Sequence, residues 1–277
     1  MKKFKIGLQL YSVREEMEKD FEGTLQKVKD MGYDYVEFAG YFDHSAEEVK
    51  KILDKIGLSA ISVHQTYNVF LENPEESVDF LKTIGVKYCA IPWMGKEQHK
   101  GTEIYEQTVS DIKKASEALK ANGIELLYHN HDFEFDKFED KYLLDYLLED
   151  TKGYMMPELD TCWVKYAGAD VCEYMRKFKG KLPVVHLKDF VCKNLADGPV
   201  YALIDENGKE IKDLSREEKG FEFKPVGQGC QNFDEILKTA EECDSEYLIV
   251  EQDNFTDIAP LEAVSQSRKY LKDRYSL

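Results

Sequence analysis

The stretch of sequence that decides the fold is NGIELLYHNH, residues 122–131. Gly123 suits the left-handed position just past the end of a helix, and the apolar run that follows it is typical of a buried strand. The run ends in His129 and His131, which lie two residues apart and would point to the same face of a strand. The stretch therefore predicts a helix end, a strand, and a polar pair at the carboxyl end of that strand.

The same pattern of a glycine followed by a strand recurs earlier in the chain, at Gly32, Gly57 and Gly85. With four further apolar runs, the sequence contains eight candidate strands: residues 6–10, 35–38, 60–64, 88–91, 126–129, 154–159, 182–187 and 247–250. Helical stretches separate most of them, as a parallel sheet requires. We expect an α/β fold, a (β/α)8 TIM barrel that forms a single domain over residues 1–277, with a doubly wound open sheet as the alternative.

One predicted connection is unusually long and runs from Phe190 to about Gly229. Residues 201–211 within it have the pattern of a hairpin around an Asn207-Gly208 turn. Because this insertion follows strand 7, a barrel would place it beside the active face. Long connections are often lids over a site, but a surface segment with no role in function fits the pattern equally well.

Composition excludes several classes of protein. The net charge of −17 argues against nucleic acid or an anionic membrane surface as a partner. No apolar stretch approaches the roughly 20 residues of a membrane helix, and the start of the chain lacks a signal-peptide hydrophobic region. The six scattered cysteines indicate reduced thiols in a cytoplasmic protein. We expect a small-molecule carbohydrate as the partner, and a homo-oligomer is compatible with the sequence.

Four late strands end in polar pairs of metal-ligand type, and the carboxyl ends of barrel strands are where barrel enzymes build their sites. The pairs are His129 with His131, Glu158 with Asp160, His186 with Lys188, and Glu251 with Asp253. We expect one divalent metal ion, with His129, Asp160, His186 and Glu251 as its ligands. Mn²⁺ is our first expectation, and the ligand set does not choose among it, Mg²⁺, Co²⁺ and Zn²⁺. The other member of each pair would orient a ligand or contact substrate.

Four further residues are candidate substrate contacts. Glu37 and His64 lie at the ends of strands 2 and 3, and Trp93 and Trp163 could stack on a sugar ring. Each also has a structural alternative, an internal ion pair for Glu37, a satisfied structural histidine for His64, and core packing for the two tryptophans. The sequence has no phosphate loop, nucleophile elbow or zinc-protease helix motif.

At these residues the chain resembles the xylose-isomerase-like TIM-barrel superfamily of sugar phosphate isomerases/epimerases, which includes inosose dehydratase. The resemblance runs through GLQLYSVR at 7–14, YHNHDFEF at 128–135, ELDTCW at 158–163, HLKD at 186–189, PVGQG at 225–229 and VEQD at 250–253. It implies one divalent metal at the ends of strands 5 to 8, with Asp160, His186 and Glu251 on the usual Asp, His and Glu positions. Many relatives have a glutamate where this chain has His129, which leaves His131 and Glu134 as alternative ligands from strand 5.

The resemblance favours a divalent-metal-dependent isomerase or epimerase that acts on a keto-sugar, sugar phosphate or cyclitol through an enolate-type proton transfer. We expect Glu251 or Glu158 as the base, His129 or His131 as its counterpart, and Lys188 as a contact to the enolate or a substrate hydroxyl. The alternative is a metal-dependent lyase, either a dehydratase or hydratase or an enzyme that eliminates the leaving group of a 3-keto-glycoside. A metal-free sugar-binding or regulatory protein is the third hypothesis.

Overall fold

The computed structural model describes residues 4–193 and 220–277. Eight parallel strands within these residues form a closed barrel in which sequential strands are neighbours. The strands are β1 Lys5–Gln9, β2 Tyr35–Phe38, β3 Ser59–His64, β4 Tyr88–Ile91, β5 Glu125–His129, β6 Met155–Asp160, β7 Val184–Leu187 and β8 Tyr247–Val250. The pairing of Leu8 with Val250 closes the barrel between β1 and β8. The predicted (β/α)8 TIM barrel is confirmed, and the doubly wound sheet is excluded.

Helices connect the strands and cover the outside of the barrel. The helices of the described residues are α1 Arg14–Lys19, α2 Phe21–Asp30, α3 Ala46–Ile56, α4 Val69–Glu72, α5 Pro74–Ile84, α6 Tyr105–Lys120, α7 Leu143–Asp150, α8 Thr161–Tyr166, α9 Val171–Lys177, α10 Phe233–Glu242 and α11 Pro260–Tyr275. Local sequence sets their ends. Ser45 and Glu48 form a reciprocal capping box at the start of α3. Gly57 and Gly85 follow α3 and α5 with φ of 77° and 85°, the left-handed conformation that glycine adopts without strain.

Two layers of apolar side chains make up the core, and strand β5 shows how they are divided. Leu126 and Tyr128 belong to the large cluster packed between the barrel and its helices. Leu127 belongs to a smaller cluster with residues of β3, β4, β7 and β8, which fills the barrel interior. Because side chains alternate along a strand, His129 points to the same interior as Leu127, at the carboxyl end.

A short antiparallel pair, Asp189–Val191 with Glu222–Lys224, forms the base of the connection after β7. The Asp189 carboxylate holds this base together. Its Oδ2 accepts hydrogen bonds from the backbone N–H groups of Gly227 and Gly229 at 2.9 and 2.8 Å. Its Oδ1 accepts from the N–H groups of Phe190 and Gln231 at 2.9 and 3.1 Å. A Cβ at Gly229 would lie 2.2 Å from Asp189 Oδ1, so this approach requires glycine.

The hairpin predicted at 201–211 lies outside the described residues. A second short antiparallel pair joins Lys137–Phe138 to Lys141–Tyr142, and 3-10 turns cover Leu10–Val13, Lys96–Gln98 and Phe133–Phe135. The six cysteines are free thiols. None of the described helices has the length and apolar character needed to cross a membrane.

Candidate active site

Four consecutive strands deliver one group each to a buried cluster at the carboxyl end of the barrel. The members are His129, which ends β5, Asp160, which ends β6, His186 on β7, and Glu251 directly after β8. One ligand-type atom from each of the four lies within 4.8 Å of the others. We call this set the upper cluster. Its members are the predicted ligands, brought together by strands whose ends meet at one edge.

The unsatisfied atoms of the upper cluster fit a divalent cation. Neither ring nitrogen of His129 has a hydrogen-bond partner among the described residues, and Asp160 Oδ2 has none either. His129 Nε2 lies 3.4 Å from both Asp160 Oδ2 and Glu251 Oε2. Ligand atoms at about 2.1 Å from a tetrahedral ion stand about 3.4 Å apart, whereas hydrogen bonds are about 2.9 Å long. Buried polar atoms left without hydrogen bonds at this spacing suit an ion between them.

Lys188 brings a positive charge to the upper cluster. Its Nζ lies 3.2 Å from Asp160 Oδ2, 3.0 Å from Glu251 Oε2 and 2.9 Å from Asp253 Oδ1. Burial disfavours the charged amine, but the three carboxylates outweigh burial and raise the pKa of Lys188 well above its usual range. Burial likewise opposes ionisation of Glu251, yet Lys188 and His186 hold the pKa of that carboxyl well below its usual value. Glu251 and the Lys188 amine are therefore charged at neutral pH.

A second group of acidic and imidazole side chains lies beside the upper cluster and shares His186 with it. This lower cluster consists of Glu37, His64, Glu158 and His186, again with ligand-type atoms within 4.8 Å. His64 Nε2 lies 2.7 Å from Glu158 Oε2, and His186 Nε2 lies 2.8 Å from Glu37 Oε1. The first contact is a hydrogen bond, whereas the second is an ion-pair contact in which His186 Nε2 makes no hydrogen bond within the described residues. Burial opposes the charge of His64, but Glu37 and Glu158 raise its pKa to about 10.

A cavity of about 360 Å³ opens onto the two clusters. Its walls are Tyr11, Ala39, His64, Pro92, Trp93, His129, His131, Lys188, Glu251, Asp253 and Asn254. A larger cavity of about 650 Å³ lies at the amino ends of β4 to β6, where Tyr88, Glu125 and Met155 line it. We take the smaller cavity as the site because it holds the buried polar cluster and faces the carboxyl ends of the strands.

Five of the predicted site residues do not line this cavity, two of them the predicted ligands Asp160 and His186. Glu37 and Glu158 are fully buried among the side chains of the lower cluster. Trp163 is fully buried as well, because Asp160 Oδ1 accepts hydrogen bonds from the N–H groups of Cys162 and Trp163 and starts α8 at that point. The Trp163 ring stacks on Phe221 and lies 5.1 Å below the Lys188 amine. By contrast, Trp93 is 52% exposed at the cavity wall.

The alternatives for the ligand from strand 5 are placed differently from His129. Glu134 accepts hydrogen bonds from the Tyr128 hydroxyl at 2.5 Å and from the His131 N–H at 2.7 Å, so both of its oxygens are occupied. His131 lines the cavity, stacks on Phe133, and is in neither candidate metal group. Burial lowers the pKa of His131 well below its usual value, so its imidazole is neutral at physiological pH.

Sequence reasoning missed several residues of the site. Tyr11 lines the cavity from the 3-10 turn after β1, and its place at the carboxyl end of a strand was the available signal. Gln9 and Ser62 hydrogen-bond the Glu37 carboxylate from β1 and β3. Neither of these residues is of a type that identifies a site from the sequence.

The sequence of this chain is similar to those of two inosose dehydratases. An inosose dehydratase from Clostridium perfringens (strain 13 / Type A) is 24% identical over 296 residues, covering 94% of this chain and 92% of its own length. An inosose dehydratase from Clostridium botulinum (strain Alaska E43 / Type E3) is 23% identical over 292 residues, covering 94% of this chain and 91% of its own.

Solved structures show the same fold. A sugar phosphate isomerase/epimerase from Parabacteroides distasonis ATCC 8503 superposes with a TM-score of 0.78 at 24% identity, covering 99% of each chain. A probable 3-DHS dehydratase from Bacillus anthracis has a TM-score of 0.70 at 14% identity and covers 98% of this chain and 99% of its own. Residues 25–274 match the family described as xylose isomerase-like TIM barrel. The chain belongs to the xylose isomerase-like TIM barrel family.

Proposed function

We propose that this protein is a metal-dependent carbon-oxygen lyase that removes a proton next to the carbonyl of a keto-sugar or cyclitol and expels a substituent from the neighbouring carbon. The observation that carries the proposal is the upper cluster, four buried ligand-type groups; His129 and Glu251 line the cavity, and His129 and Asp160 carry atoms without hydrogen bonds. His129, Asp160, His186 and Glu251 would hold the ion. A divalent ion there would supply positive charge that stabilises negative charge developing on a substrate oxygen.

Lys188 is the second source of positive charge for the substrate. Its side chain is 1% exposed yet forms part of the cavity wall, and Asp160, Glu251 and Asp253 fix its amine. An amine held in this way needs little reorganisation when charge develops on a substrate oxygen. Lys188 would hydrogen-bond the enolate oxygen or a hydroxyl next to it.

Proton transfer falls to side chains on the cavity wall, because a base must reach the proton that it removes. His64 and His131 approach from the β3 and β5 side, and Glu251 and Asp253 from the β8 side. His131, whose imidazole is neutral, would accept the proton from the α carbon, because His64 already carries a proton at neutral pH. The electron pair left on carbon forms a double bond to the neighbouring carbon, whose oxygen substituent leaves with its own bonding pair and is protonated.

The arrangement of carboxylates favours elimination over isomerisation. Both carboxylates on the cavity wall, Glu251 and Asp253, come from the same side, and Glu158 lies beneath His64 instead of facing it across the substrate. An epimerase that passes a proton between two flanking carboxylates needs a second one on the opposite side, where this chain has His129. The inosose dehydratases that match along 94% of the chain also support elimination.

Isomerisation or epimerisation, our first expectation from the sequence, remains the second candidate. It shares the proton abstraction and differs only in where the proton returns. Two imidazoles on one wall, His64 and His131, favour it because one could remove a proton and the other return it.

Incubation of the metal-loaded protein with inososes, 3-keto-glycosides and keto-sugar phosphates in deuterium oxide separates the two candidates. Release of water or an aglycone supports the lyase, and deuterium at carbon without a released group supports the isomerase. Glu251→Gln should abolish either reaction. Glu134→Gln is the matched control, a buried carboxylate outside both clusters, and should retain turnover. Turnover that survives full removal of metal by a chelator would contradict both candidates.

A further inference from the structure

Glu37 occupies a position that neither metal binding nor substrate contact explains. It lies on β2, its side chain is 0% exposed, and it does not line the cavity. Its Oε1 lies 2.8 Å from Nε2 of His186, a residue of β7. Two strands, β1 and β8, separate β2 from β7 around the barrel, so this contact crosses the barrel interior.

Two hydrogen bonds from neighbouring strands fix the Glu37 carboxylate at this contact. Gln9 Nε2 on β1 donates to Glu37 Oε1 at 2.7 Å, and the Ser62 hydroxyl on β3 donates to Oε2. Both oxygens of Glu37 therefore accept a hydrogen bond from a neighbouring strand, which leaves the carboxylate little freedom to turn away from His186.

A carboxylate at one ring nitrogen decides what the other nitrogen can do. A neutral imidazole carries one N–H and one lone pair, and an ionised carboxylate accepts but does not donate. Glu37 therefore requires the proton on Nε2 of His186. Nδ1 hydrogen-bonds Glu251 Oε2 at 2.9 Å, and a cation in the upper cluster would take the place of the proton in this bond. A carboxylate behind a metal-bound histidine fixes its tautomer and raises its basicity.

We infer that Glu37 is a positioning residue that orients His186 across the barrel, so that Nδ1 faces the divalent cation. The inference rests on the proposed function, because it assumes a cation in the upper cluster. It deepens that function by assigning Glu37 to metal binding through His186 and not to the substrate.

The test compares Glu37→Gln with Glu134→Gln, two replacements of a fully buried glutamate by its amide. Only Glu37 contacts a member of the upper cluster. The dissociation constant for Mn²⁺ is measured by competition with a fluorescent chelator, and the unfolding midpoint is measured on the metal-free proteins. Loss of an orienting carboxylate typically weakens metal binding by about 10- to 100-fold. We expect a loss of at least about tenfold in Glu37→Gln and less than about twofold in Glu134→Gln.

A second measurement reads the tautomer directly and does not depend on activity. Nitrogen NMR of the Zn²⁺-loaded wild type should show His186 with its proton on Nε2 and its metal on Nδ1. Wild-type metal affinity in Glu37→Gln, or a metal on Nε2 of His186, would overturn the inference. If Glu37→Gln does not fold, Ser62→Ala loosens the same carboxylate, and unchanged metal affinity there counts against the inference.

Failure of the proposed function has a different signature. If the wild-type protein holds no stoichiometric metal, the upper cluster is not a metal site and both ideas are wrong. If the wild type binds one ion and Glu37→Gln binds it equally well, only the role of Glu37 is wrong.

Discussion

Replacement of Glu134 by glutamine should make the protein more stable at alkaline pH. Glu134 is fully buried and accepts hydrogen bonds from the Tyr128 hydroxyl and the His131 N–H. Burial raises its pKa from 4.5 to about 8, although these hydrogen bonds favour the ionised form. The folded protein therefore holds a proton on Glu134 over a range of pH in which the unfolded chain has lost it.

The sign and size of the effect follow from that difference. A group whose pKa is raised by folding stabilises the protein fully below its unfolded pKa, and this contribution is lost as the pH rises through the folded pKa. For Glu134 the window runs from about pH 4.5 to about pH 8. At about 1.4 kcal/mol for each pKa unit, the contribution is about 5 kcal/mol. Glutamine keeps the shape and one acceptor oxygen but does not ionise.

Urea unfolding of the chelator-treated wild type and Glu134→Gln, at pH values from 4 to 9, measures the effect as the difference between the two proteins. Other titrating groups are common to both and largely cancel. The free energies of unfolding should nearly coincide at pH 4 and diverge in favour of the variant up to about pH 8, then run parallel. A difference that does not change with pH would refute the reasoning. A selective loss of Mn²⁺ affinity in the variant would identify Glu134 as a ligand instead.

Four further predictions concern residues in and around the site. Glu251→Gln and His186→Ala should each abolish turnover with little change in the circular dichroism spectrum, and full activity in either would contradict the ligand assignment. Lys188→Met should destabilise the metal-free protein by about 3 to 5 kcal/mol, because it leaves buried carboxylates unpaired, and added Mn²⁺ should restore part of the loss; urea unfolding with and without metal measures both. Trp93→Ala should change stability by less than about 0.5 kcal/mol and raise KM severalfold, since the side chain is 52% exposed. Trp163→Ala, at a fully buried tryptophan, should instead cost about 3 to 5 kcal/mol in thermal or urea unfolding.

Most of the fold could be predicted because local signals repeat with each unit. The run after Gly123 is β5, and the predicted strands at 35–38, 88–91 and 247–250 have the predicted bounds in the structure. Glycines with positive φ mark the helix ends, as at Gly57 and Gly85. The repeated short pattern predicts the number of strands. Eight strands joined by helices in turn predict the barrel.

The upper cluster could be predicted for the same reason, since strand ends converge at one edge. The depth of each side chain within the barrel could not be predicted. Glu37 lies one residue before the end of β2 and His64 ends β3, yet only His64 reaches the cavity. Period-two alternation fixes the face of a side chain but not its height or its partner across the barrel. The burial of Trp163 could not be predicted from the pattern either, because the cap made by Asp160 turns the chain into α8 and buries the ring.

The four backbone hydrogen bonds to Asp189 have an evolutionary consequence. They join the outgoing and returning chain at a fixed base, and none of them involves a residue between Val191 and Glu222, although Phe221 packs on Trp163. Loop closure becomes only slowly less favourable as a loop lengthens. Descendants of this chain could therefore vary the length of that segment without changing the ligands that the strands carry.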